Sequence, residues 1–246
     1  MPSRRGFLRR TGAAAGTVSL VAAAGFLSPG VVRTKLGGGF SESIDLSSPD
    51  EDEFVSPSQF GAYAAQIRET YGAAAIPWQD PGSFAGEFVG AYTRREQIVP
   101  DRRFAVQDAV VLVNQLDETV YRLRLWSAGR LLKQNYAVDP WGYYDEDPAF
   151  TRLEQAIEAG REDGLSANRS LSTDGGRVDV AGGAVAVPDG SYDVDIPEPA
   201  RYRSRWEGFH SGVVPLIGAC EVSFVTSEKQ YLDWTLSNGI GIRTPF

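Results

Sequence analysis

The chain's capacity for chemistry rests on few residues: its 246 positions hold one histidine, one cysteine and a single Met, the first residue. That inventory excludes zinc clusters, intrachain disulfides, His/Met haem ligation and copper sites that need two imidazoles, so no cofactor is expected. His210, in Trp206-Glu207-Gly208-Phe209-His210-Ser211-Gly212, is the sole imidazole base. A hydrolase built on it needs a nucleophile and an orienting acid brought to the ring by the fold. Ser211 is a chain neighbour, a poor geometry for attack, and no G-x-S-x-G elbow occurs. No catalytic residue is assigned, and a loop or strand-end histidine is the competing reading. Cys220 sits in the apolar run Ile217-Gly218-Ala219-Cys220-Glu221-Val222, which suits a small buried hydrophobe better than a reactive or dimer-linking thiol.

Four further groups are able to bind rather than react. Asp189, Ser191, Asp193 and Asp195 recur every second residue, an oxygen string that invites a calcium reading. The string departs from an EF-hand: its sixth position lacks glycine, and Ala200 stands where the closing glutamate belongs. On a strand the same spacing lines one wet face with oxygens. Trp141, Tyr143 and Tyr144, beside Asp139, Asp145, Glu146 and Asp147, offer rings to stack on a sugar and carboxylates for its hydroxyls, or else a turn pinned by buried rings. Arg201, Arg203 and Arg205 share one face of a strand, where they suit an anionic glycan, a carboxylate patch or a neighbouring subunit, or form rungs of surface ion pairs. Asn168-Arg169-Ser170 is the one N-x-S/T sequon, a glycosylation acceptor if the chain is exported.

Export is written into the first thirty residues. Ser3-Arg4-Arg5-Gly6-Phe7-Leu8-Arg9 matches the twin-arginine signal, with Arg for Lys at its end. An uncharged Ala- and Gly-rich stretch over residues 11–27 follows, shorter than the roughly 20 apolar residues of a membrane span. Ala22-Ala23-Ala24 matches a cleavage site of the A-x-A kind, with the cut expected after Ala24, the alternative being an uncleaved signal that tethers the chain loosely to the membrane. The twin-arginine route carries folded proteins, so the expected partner during export is the Tat translocase, and the expected location is extracellular or at the cell surface.

The whole chain has 24 basic and 32 acidic side chains, a formal charge of −8. Residues 1–24 hold four Arg and no acid, so the remainder carries 20 against 32, about −12. Nucleic acid is therefore not an expected partner. Lysine is confined to Lys35, Lys133 and Lys229, and this acidic, Arg-using composition is similar to that of secreted proteins of halophilic archaea. An acidic exported protein of a GC-rich bacterium is the alternative source.

The elements that must position these residues follow from periodicity. Residues 31–55, with Gly37-Gly38-Gly39 and the run Asp50-Glu51-Asp52-Glu53, read as a solvated acidic and Gly/Ser-rich linker between a signal at 1–30 and a single β-rich domain over 56–246. Ser56 and Pro57 open a helix that carries Phe60, Tyr63, Ala64, Ile67 and Tyr71 on one face and stops at Gly72. A second short amphipathic helix is expected from Asp147 through Phe150, Leu153, Ala156 and Ile157 to Gly160.

Strand patterns cover 104–113, 119–126 (Arg122 and Arg124 on its wet face), 130–138, 177–187, 192–196, 213–226, 231–237 and 240–243. Turns are expected at Ser127-Ala128-Gly129, Asp174-Gly175-Gly176, Pro188-Asp189-Gly190-Ser191 and Asn238-Gly239, with a break near Gly218. Residues 231–236 also fit a capped helix. Roughly nine strands without βα alternation point to a mainly β fold, an antiparallel β-sandwich of jelly-roll or Ig-like type with two short amphipathic helices.

The segment from Val111 through Asn114 and Asp117 to Leu125 resembles the strand, Asn, turn, strand unit of exported β-sandwich surface proteins. These include the camelysin and TasA-like fibre-forming group and twin-arginine-exported surface proteins of halophilic archaea. The resemblance implies a non-enzymatic envelope or surface-fibre role, with self-association or an envelope partner. A secreted small-ligand or carbohydrate-binding module is the second expectation, and a secreted hydrolase using His210 the third.

The charge arithmetic generates a first prediction. With about −12 on the exported part, carboxylate repulsion acts over a Debye length of roughly 30 Å at 0.01 M salt but about 3 Å at 1 M. The melting temperature of the purified chain is expected to rise between those chloride concentrations. A flat profile would show that the acidic surface is under no strain.

Overall fold

Residues 32–48, 54–98, 105–132, 148–167, 172–174, 176–198, 201–228 and 230–243 are described by the computed structural model. Apolar residues at every second position dominate these segments, and they form three antiparallel sheets. Sheet A joins, in spatial order, β1 (Val32–Asp45), β14 (Tyr231–Arg243), β6 (Ala149–Glu158), β12 (Arg201–His210) and β11 (Gly190–Glu198). Sheet B joins β2 (Phe54–Val55), β3 (Glu87–Ile98), β4 (Ala105–Asp117), β5 (Val120–Leu131), β13 (Val214–Ser223) and β7 (Gly164–Ala167). Sheet C is small: β10 (Gly183–Ala186), β9 (Arg177–Val180) and β8 (Ser172–Asp174).

Sheets A and B face each other as a β-sandwich. Phe40, Ile157, Tyr202, Trp234 and Leu236 from sheet A interdigitate with Val111, Leu123, Leu125, Cys220 and Val222 from sheet B. A second apolar cluster, with Phe150, Leu153, Trp206 and Ile240 against Val214 and Leu216, fills the other end. Buried polar residues also stand on the facing strands: Gln107, Ser127, Gln155, Ser204 and Asn238. Asn238 Nδ2 donates across the gap to Gln107 Oε1 (3.1 Å), and its Oδ1 accepts from the Gly38 amide (3.1 Å).

Sheet B also carries a third layer on its outer face. Helix α1 (Pro57–Tyr71) lays Phe60, Ala64, Ile67 and Tyr71 on Ala91, Val110, Leu112 and Trp126. Gln59 Oε1 accepts from the Ser56 amide at its start (3.1 Å), the return half of a capping box. Beside the helix, Val178, Val180 and Val185 of sheet C seal the same face.

Several expectations change. Residues 32–45 and 54–55 of the expected linker are strands instead, because β1 pairs with β14 over nearly its whole length and β2 pairs with β3. Its glycines are sites of close approach: a Cβ on Gly39 would lie 2.2 Å from the Leu236 carbonyl oxygen. Of the acidic run, Asp50 to Glu53 lie outside the described residues.

The second helix is strand β6, hydrogen-bonded on one edge to β14 and on the other to β12, and this two-sided pairing overrides its helical spacing. Residues 127–129 do not turn but continue β5. Asn238-Gly239 lies within β14, where the register shifts between Gly239 and Ile240, so the pair marks a bulge and not a reversal. Residues 177–187 split into β9 and β10, with Ala181 and Gly182 at positive φ in the hairpin between them. The turn around Pro188 to Ser191 leads from sheet C into sheet A and closes no hairpin.

Gly218 interrupts nothing. It continues β13 and leaves room for the Tyr202 ring from the opposite sheet, whose hydroxyl accepts from the Ala219 amide (3.0 Å). A Cβ at Gly218 would stand 2.4 Å from that hydroxyl. Gly218→Ala is expected to cost about 1–3 kcal/mol by overpacking, read from denaturant unfolding. A loss of only a few tenths would show that the sheets separate easily at this point.

Candidate functional site

The unusual chemistry lies on the outer face of sheet B, where charged side chains are roofed by the third layer. Asp108 of β4 is 3% exposed and fully engaged. Arg95 of β3 grips it through Nε to Oδ1 (2.6 Å) and Nη2 to Oδ2 (2.9 Å), and the Tyr71 hydroxyl donates to Oδ2 (2.5 Å). This clasp ties the C-terminal turn of α1 to the sheet, and charge-assisted bonds of this kind are the strong ones.

Arg124 of β5, 2% exposed, has no such partner. Its Nη1 donates to Asn114 Oδ1 (2.8 Å), and Asn114 is oriented by donating Nδ2 to the Pro81 carbonyl (3.0 Å). The guanidinium carbon sits 3.6 Å from the centroid of the Phe84 ring. Its Nε has no partner among the described residues, and no described carboxylate pairs with it. Burial first, and the charge of Arg122 second, lower the guanidinium to about 10. Arg122, two residues before it on the same face, pairs with Glu221 (3.0 Å) and is one-third exposed. Together with Ser166, Ala181, Ala219 and Cys220 these residues line a cleft of about 430 Å³. A larger open cleft of about 1090 Å³ lies between the end of α1 and sheet C, but its cations, Arg68 and Arg177, are exposed.

The residues that the sequence singles out do not converge. Arg201, Arg203 and Arg205 do share the outer face of β12, between Glu154 and Glu158 of β6 and Asp193 and Asp195 of β11. Arg203 grips Asp195 through Nε (3.0 Å) and Nη2, and Arg205 pairs with Glu207. Two of the three thus stand in ion pairs, while the Arg201 Nε has no partner among the described residues. Asp195 is thereby occupied by a guanidinium, Asp193 stands opposite Arg205, and Asp189 precedes the strand, so an arginine column flanks the string read as a calcium site.

His210 ends β12 partly exposed, with no described carboxylate paired to it and Ser211 in the turn that follows. Cys220 is buried inside the sandwich, and burial pushes its thiol well above the ordinary range. Trp141, Tyr143, Tyr144, Asp145 and Asn168 lie outside the described residues, as do Ser3, Arg4, Arg5, Phe7, Leu8 and Ala24 of the export signal.

Sequence reasoning missed Arg124 because the alternation of β5 assigns Arg122 and Arg124 to a wet face. Only the third layer, from segments far away in the chain, makes that face an interior one. Among the described residues no helix is long and apolar enough to cross a membrane. Comparison with protein-family models, curated proteins and solved structures finds no match to this chain.

Tyr63, Tyr71, Tyr92, Tyr121, Tyr192 and Tyr202 all have phenols raised above the ordinary range, in each case first by burial. For Tyr63 and Tyr71 the second cause is the Asp108 carboxylate. The unfolded chain therefore releases these protons first as pH passes about 10, so stability is intact below that pH and falls above it. The tyrosinate absorbance of these phenols is expected to appear in step with loss of the folded circular dichroism signal. Their ionisation in a chain still folded would contradict the burial.

Proposed function

We propose that this chain is an exported, non-enzymatic protein of the cell envelope or of a surface fibre, delivered through the twin-arginine route. One observation supports the reading beyond the signal motif. Sheet A pairs β1, which opens at Val32, with β14, which ends at Arg243. Val32 pairs with Arg243 and Asp45 with Tyr231, partners far apart in the chain, and such non-local pairing is slow. A translocase that accepts finished folds suits a domain whose first and last described strands pair, because until β14 is in place the edges of β1 and β6 stay open. The arginine column held between acidic columns on the outside of sheet A also fits a saline exterior, since exposed pairs are worth little individually and tolerate screening.

The test is cell fractionation of the native chain and of the double variant Arg4→Lys, Arg5→Lys. The native chain is expected in the envelope or outside the cell, and the variant folded in the cytoplasm. Native protein found only as a soluble cytoplasmic species, or a variant exported as efficiently as the native chain, would overturn the proposal.

A further inference from the structure

The guanidinium of Arg124 poses a physical problem that the rest of the fold does not solve. A cation taken out of water is costly unless an anion and hydrogen bonds replace its hydration. Here the replacements are a neutral amide oxygen from Asn114 and the face of Phe84. The stacked ring offsets only part of what desolvating an ion costs.

The same chain shows twice what the free edge of such a group takes. Arg95 uses Nε and Nη2 to grip both oxygens of Asp108, and Arg203 uses Nε and Nη2 to grip both oxygens of Asp195. In Arg124 the bond to Asn114 occupies Nη1, the nitrogen outside that fork, and leaves Nε without a partner. Asn114 is locked with its oxygen toward Arg124 because its amide nitrogen is spent on the Pro81 carbonyl. The fork is thus held in position by groups that do not neutralise it.

Electrostatics and shape agree with this. Arg122 and Arg124 face Glu221 alone among the described lining residues, an excess of one positive charge. Ser166 adds a polar side chain, and Ala181 and Ala219 supply small walls, with the Cys220 thiol turned away into the sandwich. At about 430 Å³ the cleft is within the range of small-molecule sites and too small for a folded partner.

We propose that this cleft is a binding site for a small organic carboxylate, whose planar carboxylate takes the Nε–Nη2 edge of Arg124 while Arg122 and Ser166 hold its outer end. A planar two-oxygen acceptor matches the fork, as Asp108 and Asp195 do for the other two arginines. The short apolar walls favour an acid with an aliphatic body of a few carbons. The site involves no covalent step, and it stands or falls independently of the route by which the protein is exported.

The test is calorimetric titration of the purified full chain, in an amine buffer at fixed ionic strength, with acetate, succinate and citrate, and separately with chloride, sulfate and inorganic phosphate. At least one carboxylate is expected to bind saturably and to raise the melting temperature, while chloride does neither. Arg124→Lys, which keeps the charge but loses the fork, is expected to weaken binding about tenfold or more, the equivalent of one charge-assisted bond. Arg124→Met is expected to abolish binding yet melt no lower than the native chain without ligand, because it removes an uncompensated buried cation. Should Arg124→Met fail to fold, Arg122→Gln at its partly exposed position is expected to fold normally and to bind several-fold more weakly. No binding of any carboxylate, phosphate or sulfate bound as tightly as the best carboxylate, or native affinity in the Arg124 or Arg122 variants would overturn the assignment.

Discussion

The centre of sheet B is covered on both faces, and that constraint governs the placement of the charged and polar groups there. One side meets sheet A through Val111, Leu123 and Leu125, and the other meets α1 and sheet C through Val110, Leu112 and Trp126. A strand in this position carries a polar side chain without penalty only where hydrogen-bond partners reach it there. Asp108 satisfies the condition with Arg95 and Tyr71. Arg124 satisfies it in part, through Asn114 and Phe84. The difference between the two is the difference between a fastening and a site.

Sheet A obeys the opposite rule, since only its inner face is covered. Its outer face spreads Arg201, Arg203 and Arg205 between rows of acids, and water competes for every one of those pairs. Removing any single rung changes stability little, whereas removing one partner of Asp108 leaves a buried charge. The strong negative balance of the chain therefore belongs to its surface and its surroundings, while the fold is held by apolar burial between and around the sheets.

Between the two sheets, polar residues interrupt an otherwise apolar layer. The Asn238 to Gln107 bond crosses the sandwich, and the Asn238 oxygen also holds β1, so three strands are referenced to one amide. A one-residue slip of β14 would turn Asn238 to solvent and leave Gln107 in an apolar layer without its donor. Such a contact favours one register over its neighbours, which matters for a sheet closed by strands so distant in sequence. Burial thus selects the layer order, and this amide pair selects the alignment within it.

Local patterns in the sequence carried the signal motif, the mainly antiparallel β character, the first helix with its cap at Ser56 and stop at Gly72, the alternation in β5, and the shared face of the three arginines. All of these are local: a period of two or 3.6, a capping residue, a turn glycine. Tertiary structure decided the rest. β6 carries helical spacing but has strands on both edges, and Gly39 of β1 reads as flexibility because the Leu236 carbonyl that it accommodates is nearly two hundred residues away. Asn238-Gly239 has the chemistry of a turn, yet its amide is used across the sandwich. Arg124 shows the limit most clearly: strand alternation places it on one face, but only the roof formed by Phe84, α1 and sheet C makes that face dry, and whether a face is dry depends on packing between distant segments.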